Sequence, residues 1–194
     1  MKLPLRLVHV LVLSLSLLPA TSAFAAAAPK KVLVVTVTTG FRHASIPVSE
    51  KIIEQMAKDS GKFTVEFVRQ PDGQPKAPGR PRPGPKGEAD PAHQAALKKF
   101  AEDNKAHQAA MAAWLPKAAG VLQKLSVANL KNYDAVLFAS TTGDDLPLPD
   151  KQGFIDWVAS GKGFIGVHAA TDTLKTFAPY VAMIGGAFRT HGPQ

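Results

Sequence analysis

Four short stretches of the chain carry side chains that could move protons or hold a metal. They are "TTGFRH" (38–43), "STTGDD" (140–145), "HAATD" (168–172) and "GGAFRTHG", which contains His191. Imidazole titrates near neutral pH, so His168 is suited to act as base or acid, with Asp172 or Asp144 fixing its tautomer. A second chemistry uses the same residues: a divalent metal held by some of His43, His168, His191 and Asp172, with open positions for water or substrate. Neither the H-E-x-x-H spacing of a zinc protease nor a G-x-S-x-G nucleophile elbow occurs. The chain has no cysteine, which excludes thiol nucleophiles and thiolate metal sites. Each residue also has a plainer use. His168 could plug a loop by hydrogen bonding, Arg42 could pair with Asp144 or Asp172, and Thr142-Gly143-Asp144 could be only a turn. His9, His93 and His107 are assigned no role.

Residues more than 100 positions apart meet only if the fold delivers them to one place, and an open parallel sheet does so along the C-terminal edge of its strands. The elements fit that arrangement. Val32 to Val37 is a continuous apolar strand of the kind buried on both faces. A helix follows, with Ser45 as cap, Pro47 in the first turn, Gly61 as terminator, and Val48, Ile52, Ile53 and Met56 as one apolar stripe. "KFTVEFVR" alternates Phe63, Val65 and Phe67 as a second strand, completing a βαβ unit. Ala135 to Ala139 reads as a third strand, a helix turns Phe154, Ile155, Trp157 and Val158 inward before Gly161, and Phe164 to Val167 reads as a fourth. A short helical piece around Tyr180 to Met183 precedes Gly185 and Gly186, which let His191 fold back over the same edge.

Between the second and third strands the composition changes. Pro71 to Pro91 holds seven prolines and four glycines in 21 residues, too many for a helix or a ladder, and reads as an extended or mobile surface loop. Ala92 to Leu115, rich in Ala, Gln and Lys, reads as one or two helices laid on the surface. The insertion as a whole runs from about 71 to 120.

The formal charge is +8, but the last 77 residues balance to zero and no Lys/Arg cluster is interleaved with aromatics. That pattern speaks against nucleic acid as a partner. Lys2 and Arg6 precede an apolar run from Leu7 to Leu18, and Ala23-Phe24-Ala25 has the form of a signal-peptidase site. Residues 1–25 are therefore expected to be an export signal, too short to span a bilayer, leaving a periplasmic or extracellular domain over 30–194 with no stable membrane insertion. Nothing in the pattern fixes an oligomeric state.

Taken together, "KVLVVTVTTGFRH", "LKNYDAVLFASTTGD", "GKGFIGVHAATDT" and "MIGGAFRTHGPQ" resemble the ordered motifs of ThuA-like proteins, the trehalose-utilisation family. The resemblance covers most of 31–70 and 125–194 and leaves the Pro-rich insertion outside. It implies a flavodoxin-like parallel sheet with helices on both faces, similar to class I glutamine amidotransferases. In those enzymes the turn occupied here by Gly166 to Ala170 carries a nucleophilic cysteine. With His168 at that position no thioester can form, so amidotransferase activity is expected to be absent. The resemblance further implies carbohydrate metabolism, with disaccharides, their keto forms or other glycosides as substrates. By motif, His43, His168, Asp172 and His191 are the catalytic candidates, with Arg42, Thr142, Gly143, Asp144 and Thr171 binding substrate. It also implies more strands and a late acidic and tyrosine-containing motif after the G-x-F-x-x-H segment, so the chain is expected to be truncated at its C-terminus. A non-catalytic sugar-binding or partner-binding module on the same fold is the alternative.

Overall fold

The structure, a computed structural model, describes residues 27–190. The expected export signal and His191 lie outside them. Four strands, β1 (Lys30–Val35), β2 (Phe63–Val68), β3 (Ala135–Ala139) and β4 (Gly163–Val167), pair in parallel in the order β2-β1-β3-β4. The helices between them are α1 (Ile46–Ser60), α2 (Pro91–Leu122), α3 (Val127–Leu130), α4 (Lys151–Ala159) and α5 (Ala178–Ile184). This is the flavodoxin-like order, in which the connection reverses direction between β1 and β3 and opens a crevice at their C-terminal ends.

The two faces of the sheet are covered unequally. On one face Leu33, Val35, Val136 and Phe138 join Trp114 and Leu122 of α2, Phe154 and Trp157 of α4, and Tyr180 of α5 in the main core. Phe138 lies between stacked or edge-on rings of Phe154, Phe164 and Tyr180, at 5.7, 5.3 and 6.1 Å. On the other face Val32, Val34, Leu137 and Ala139 pack only against Ile53 of α1 and the inward side of β2. The expected apolar stripe of α1 is thus mostly outside. Val48, Ile52 and Met56 are more than half exposed, and Ile165 and Val167 of β4 are open on the same side. Together with Leu137 and Phe63, residues Ile52, Met56, Ile165 and Val167 line an apolar groove of about 680 Å³. The physical reason is that α1 packs mainly over β2 and reaches β3, and no described helix covers this face of β4.

Two further expectations change. Ala92 to Leu115 is part of a single 32-residue helix rather than a surface attachment, and its second half buries Met111, Trp114, Ala118 and Leu122. The Pro-rich stretch has no regular structure, as its composition requires, but its start is fastened: Trp114 Nε1 donates to Asp72 O at 3.1 Å. At the end of α1, Gly61 takes φ +60 and donates to Ala57 O, whereas Ser45 makes no side-chain cap. Among the described residues no helix is long and apolar enough to cross a membrane.

Candidate functional site

Three strand exits are tied into one platform. Thr39 N and Gly40 N both donate to Thr142 O, at 2.9 and 3.3 Å, and Thr142 Oγ1 donates to Phe41 O at 2.8 Å, joining the exits of β1 and β3. Gly143 N donates to Asp172 O at 2.9 Å and Leu174 N to Gly143 O at 3.1 Å, joining the exits of β3 and β4. Gly143 has φ +110, and a Cβ there would collide with Thr39 Oγ1 and lie 2.8 Å from Gly40 N. Only glycine allows the two exits to come this close.

His168 is the first residue past β4 and has φ +54, a left-handed conformation that is uncommon and strained for a residue with a side chain. It opens a 3₁₀ turn, His168–Asp172, packed by small residues. A side chain at Gly166 would meet Ile184 Cδ1 at 2.9 Å and Ala170 Cβ at 3.2 Å. Buried Tyr180 Oη donates to Ala170 O at 2.9 Å and fixes the turn from below. With Ala169 and Ala170 buried, the turn leaves His168 exposed at its start, as a nucleophile elbow presents its side chain.

His43, 125 positions earlier, reaches the same place. The two imidazole ring centroids are 4.5 Å apart with planes tilted by 53°. The rings of Phe41 and His43 meet in a T-shaped contact, centroids 4.9 Å apart and planes at 81°. His43, His168, Ala169, Thr171, Asp172, Phe41 and Phe188 line one cavity of about 720 Å³. Desolvation lowers the pKa of His43 below the ordinary imidazole value; His168 adds to the lowering and the Asp172 carboxylate opposes it. Asp172 is itself paired with Lys175, Nζ to Oδ1 2.6 Å, and that hydrogen bond raises the Lys175 pKa. The backbone N of Lys175 also donates to Asp144 Oδ1 at 2.5 Å, so one lysine joins the acids of two strand exits.

Of the sequence candidates, His43, His168, Thr171 and Asp172 come together at the cavity. Thr142, Gly143 and Asp144 belong to the scaffold beneath it, through the bonds just given. Arg42 turns back: its Nη1 donates to Thr36 O at 2.8 Å and to Gln70 Oε1 at 2.9 Å, bracing the loop rather than lining the cavity or pairing with Asp144 or Asp172. Gln74, from the start of the Pro-rich stretch, donates through Nε2 to Thr38 O and Gly40 O, both at 3.2 Å, and its Oε1 accepts from Gln70 Nε2, which joins it to the same brace. Lys175, Phe41 and Phe188 are the residues sequence reasoning passes over. A lysine three positions after Asp172 is the available signal for the first, and the two aromatics lie inside the TTGFRH and G-x-F-x-x-H stretches without a role read for them. His43 and His168 offer two neighbouring imidazoles to a divalent metal, and among the described residues no group of three or more His, Asp or Glu side chains is arranged to hold one.

A parallel sheet of this order, with a strained elbow at the fourth strand exit and a cavity at the strand ends, defines the flavodoxin-like α/β class to which class I glutamine amidotransferases belong. Within that class the chain matches the family model described as trehalose utilisation (ThuA) over residues 84–194, and it belongs to that family. The match takes in α2, which the motifs alone leave outside the resemblance. No curated protein and no solved structure matches the chain. With His168 at the elbow and no cysteine anywhere, the amidotransferase thioester has no nucleophile.

Proposed function

We propose that this protein is an exported carbohydrate-processing enzyme whose His43 and His168 transfer protons to and from a disaccharide, keto-sugar or other glycoside. The observation that carries the reading is the contact of the two imidazoles, from opposite ends of the sequence, inside a cavity large enough for a sugar. Because desolvation keeps His43 neutral to lower pH than an ordinary histidine, it is suited to accept a proton. His168, held on its strained turn, then stands on the other side of the transfer as donor. Asp172, with its charge fixed by Lys175, favours the imidazolium that forms on His43. The family supplies the substrate class, and the apolar run Leu7 to Leu18 followed by Ala23-Phe24-Ala25 supports export with cleavage after Ala25.

His168→Ala tests the reading against turnover of a panel of disaccharides and their keto forms. The expected result is a fall in kcat on the order of 10² to 10⁴ with sugar binding retained. Unchanged turnover in the variant sinks the acid–base assignment. Sugar binding by a wild-type protein that turns over none of the panel instead makes the site a binding module.

A further inference from the structure

We infer that Phe41 forms an aromatic subsite of the cavity, stacking against the C–H face of a pyranose ring held over the two histidines. The inference rests on the carbohydrate reading above and names the residue that selects the ring. Phe41 is 70 % exposed, more than any other large apolar side chain described, yet it sits at the rim of the cavity that contains His43 and His168. An exposed phenylalanine on a loose loop would need no explanation. This one is on a loop held in place from both sides. Its own carbonyl accepts from Thr142 Oγ1, the preceding Gly40 N donates to Thr142 O, and Gly40 O accepts from Gln74 Nε2. The buried hydroxyl and amide groups of the neighbouring threonines therefore fix the backbone, while the ring itself is left to solvent. Rigid presentation of an apolar ring lowers the entropy lost when a ligand is bound.

The chemistry of the rest of the cavity completes the case. His43, His168, Thr171 and Asp172 offer hydrogen-bonding groups for hydroxyls, and Phe41 and Phe188 offer apolar ring surface. Phe188 is anchored as well, since its N donates to Thr171 O at 2.8 Å. Polar groups beside exposed aromatic faces match a ligand with a polar rim and an apolar face. A pyranose has both, whereas an acyclic polyol has the hydroxyls without the rigid face. The T-shaped contact of Phe41 with His43 places a sugar ring stacked on Phe41 next to the proton-transfer groups rather than at a remote surface.

The test is calorimetric titration of the full chain with trehalose, maltose and methyl α-glucoside, with sorbitol as the acyclic comparison. Phe41→Ala is expected to weaken binding of the cyclic sugars by about 3- to 10-fold, the value of one aromatic contact, and to leave sorbitol unchanged. Phe41→Trp is expected to retain affinity, and Phe41→Leu to behave like Phe41→Ala because it keeps bulk but no ring. The melting temperature should stay within about 2 °C, since the side chain buries little. Equal affinity of wild type, Phe41→Ala and Phe41→Leu for a cyclic sugar that does bind overturns the subsite and leaves the carbohydrate reading standing. A wild-type protein that binds none of the three cyclic sugars at millimolar concentration overturns both.

Discussion

The state of His43 depends on three influences with different signs. Burial and His168 depress its pKa, and Asp172 raises it. If His43 must be neutral to accept a proton, activity is lost as the pH falls through this depressed value, so the acid limb of the rate profile lies below the ordinary imidazole range. Removing the carboxylate charge in Asp172→Asn withdraws the one raising influence. The pKa then falls further, and the acid limb of kcat/KM should move to lower pH while the maximal rate drops. A limb that stays in place, or moves to higher pH, excludes His43 as the titrating base. Lys175→Met acts on the same limb from the other side. It frees the Asp172 charge from its partner, which strengthens the pull on His43 and should move the limb upward. Of these residues, His43, His168 and Asp172 are legible in the sequence because imidazoles and carboxylates at strand exits carry chemistry by type. Arg42 misleads for the same reason: its charge suggests a ligand, but a guanidinium with five donors can equally satisfy a backbone carbonyl, as it does at Thr36.

At the scale of elements, the platform depends on how closely the exits of β1 and β3 approach, and Gly143 is the position where that approach is tightest. Gly143→Ala adds a Cβ into Thr39 Oγ1 at φ +110, so it combines backbone strain with overpacking. A loss of about 2–4 kcal/mol of unfolding free energy is expected in a denaturant titration, against a change within about 0.5 kcal/mol for Gly79→Ala, where a Cβ meets nothing. Helix α2 makes a second contrast. Trp114 is buried in the core, so Trp114→Ala should cost about 3–5 kcal/mol, whereas Lys98→Ala on the exposed first half should be near neutral. The four strands are readable from their apolar runs, and β3 has the expected ends. The role of α2 is not readable, because Met111, Trp114, Ala118 and Leu122 are spaced to make one stripe only if the helix continues through Pro116, a residue that normally argues for a stop. The missing amide of Pro116 is tolerated there, so the helix runs on and its second half becomes core.

For the molecule as a whole, the uneven covering of the sheet matters most. The stripe of Val48, Ile52, Ile53 and Met56 has helical period, and period alone says that one face is apolar without saying what it meets. Of this stripe Ile53 packs against the sheet, Ile52 and Met56 line the open groove with Ile165 and Val167, and Val48 is exposed. Parallel sheets normally bury both faces, so this side of β4 carries apolar surface that water covers at a cost of about 25 cal/mol per Å². Such a surface should be detectable without knowing what binds it. The protein at neutral pH should enhance the fluorescence of the dye ANS while its near-ultraviolet circular dichroism remains that of a packed fold, which separates an exposed native groove from a molten state. Ile52→Glu and Ile165→Glu each place a charge in the groove on a side chain that is 54 % and 45 % exposed, so they should reduce the dye signal several-fold while lowering the melting temperature by no more than about 3 °C. The candidate site cavity lies at the strand exits, lined by different residues, so on the proposed reading sugar binding should be unchanged in both variants. Dye fluorescence that persists in the double variant would place the accessible apolar surface elsewhere and remove the groove from this account of the fold.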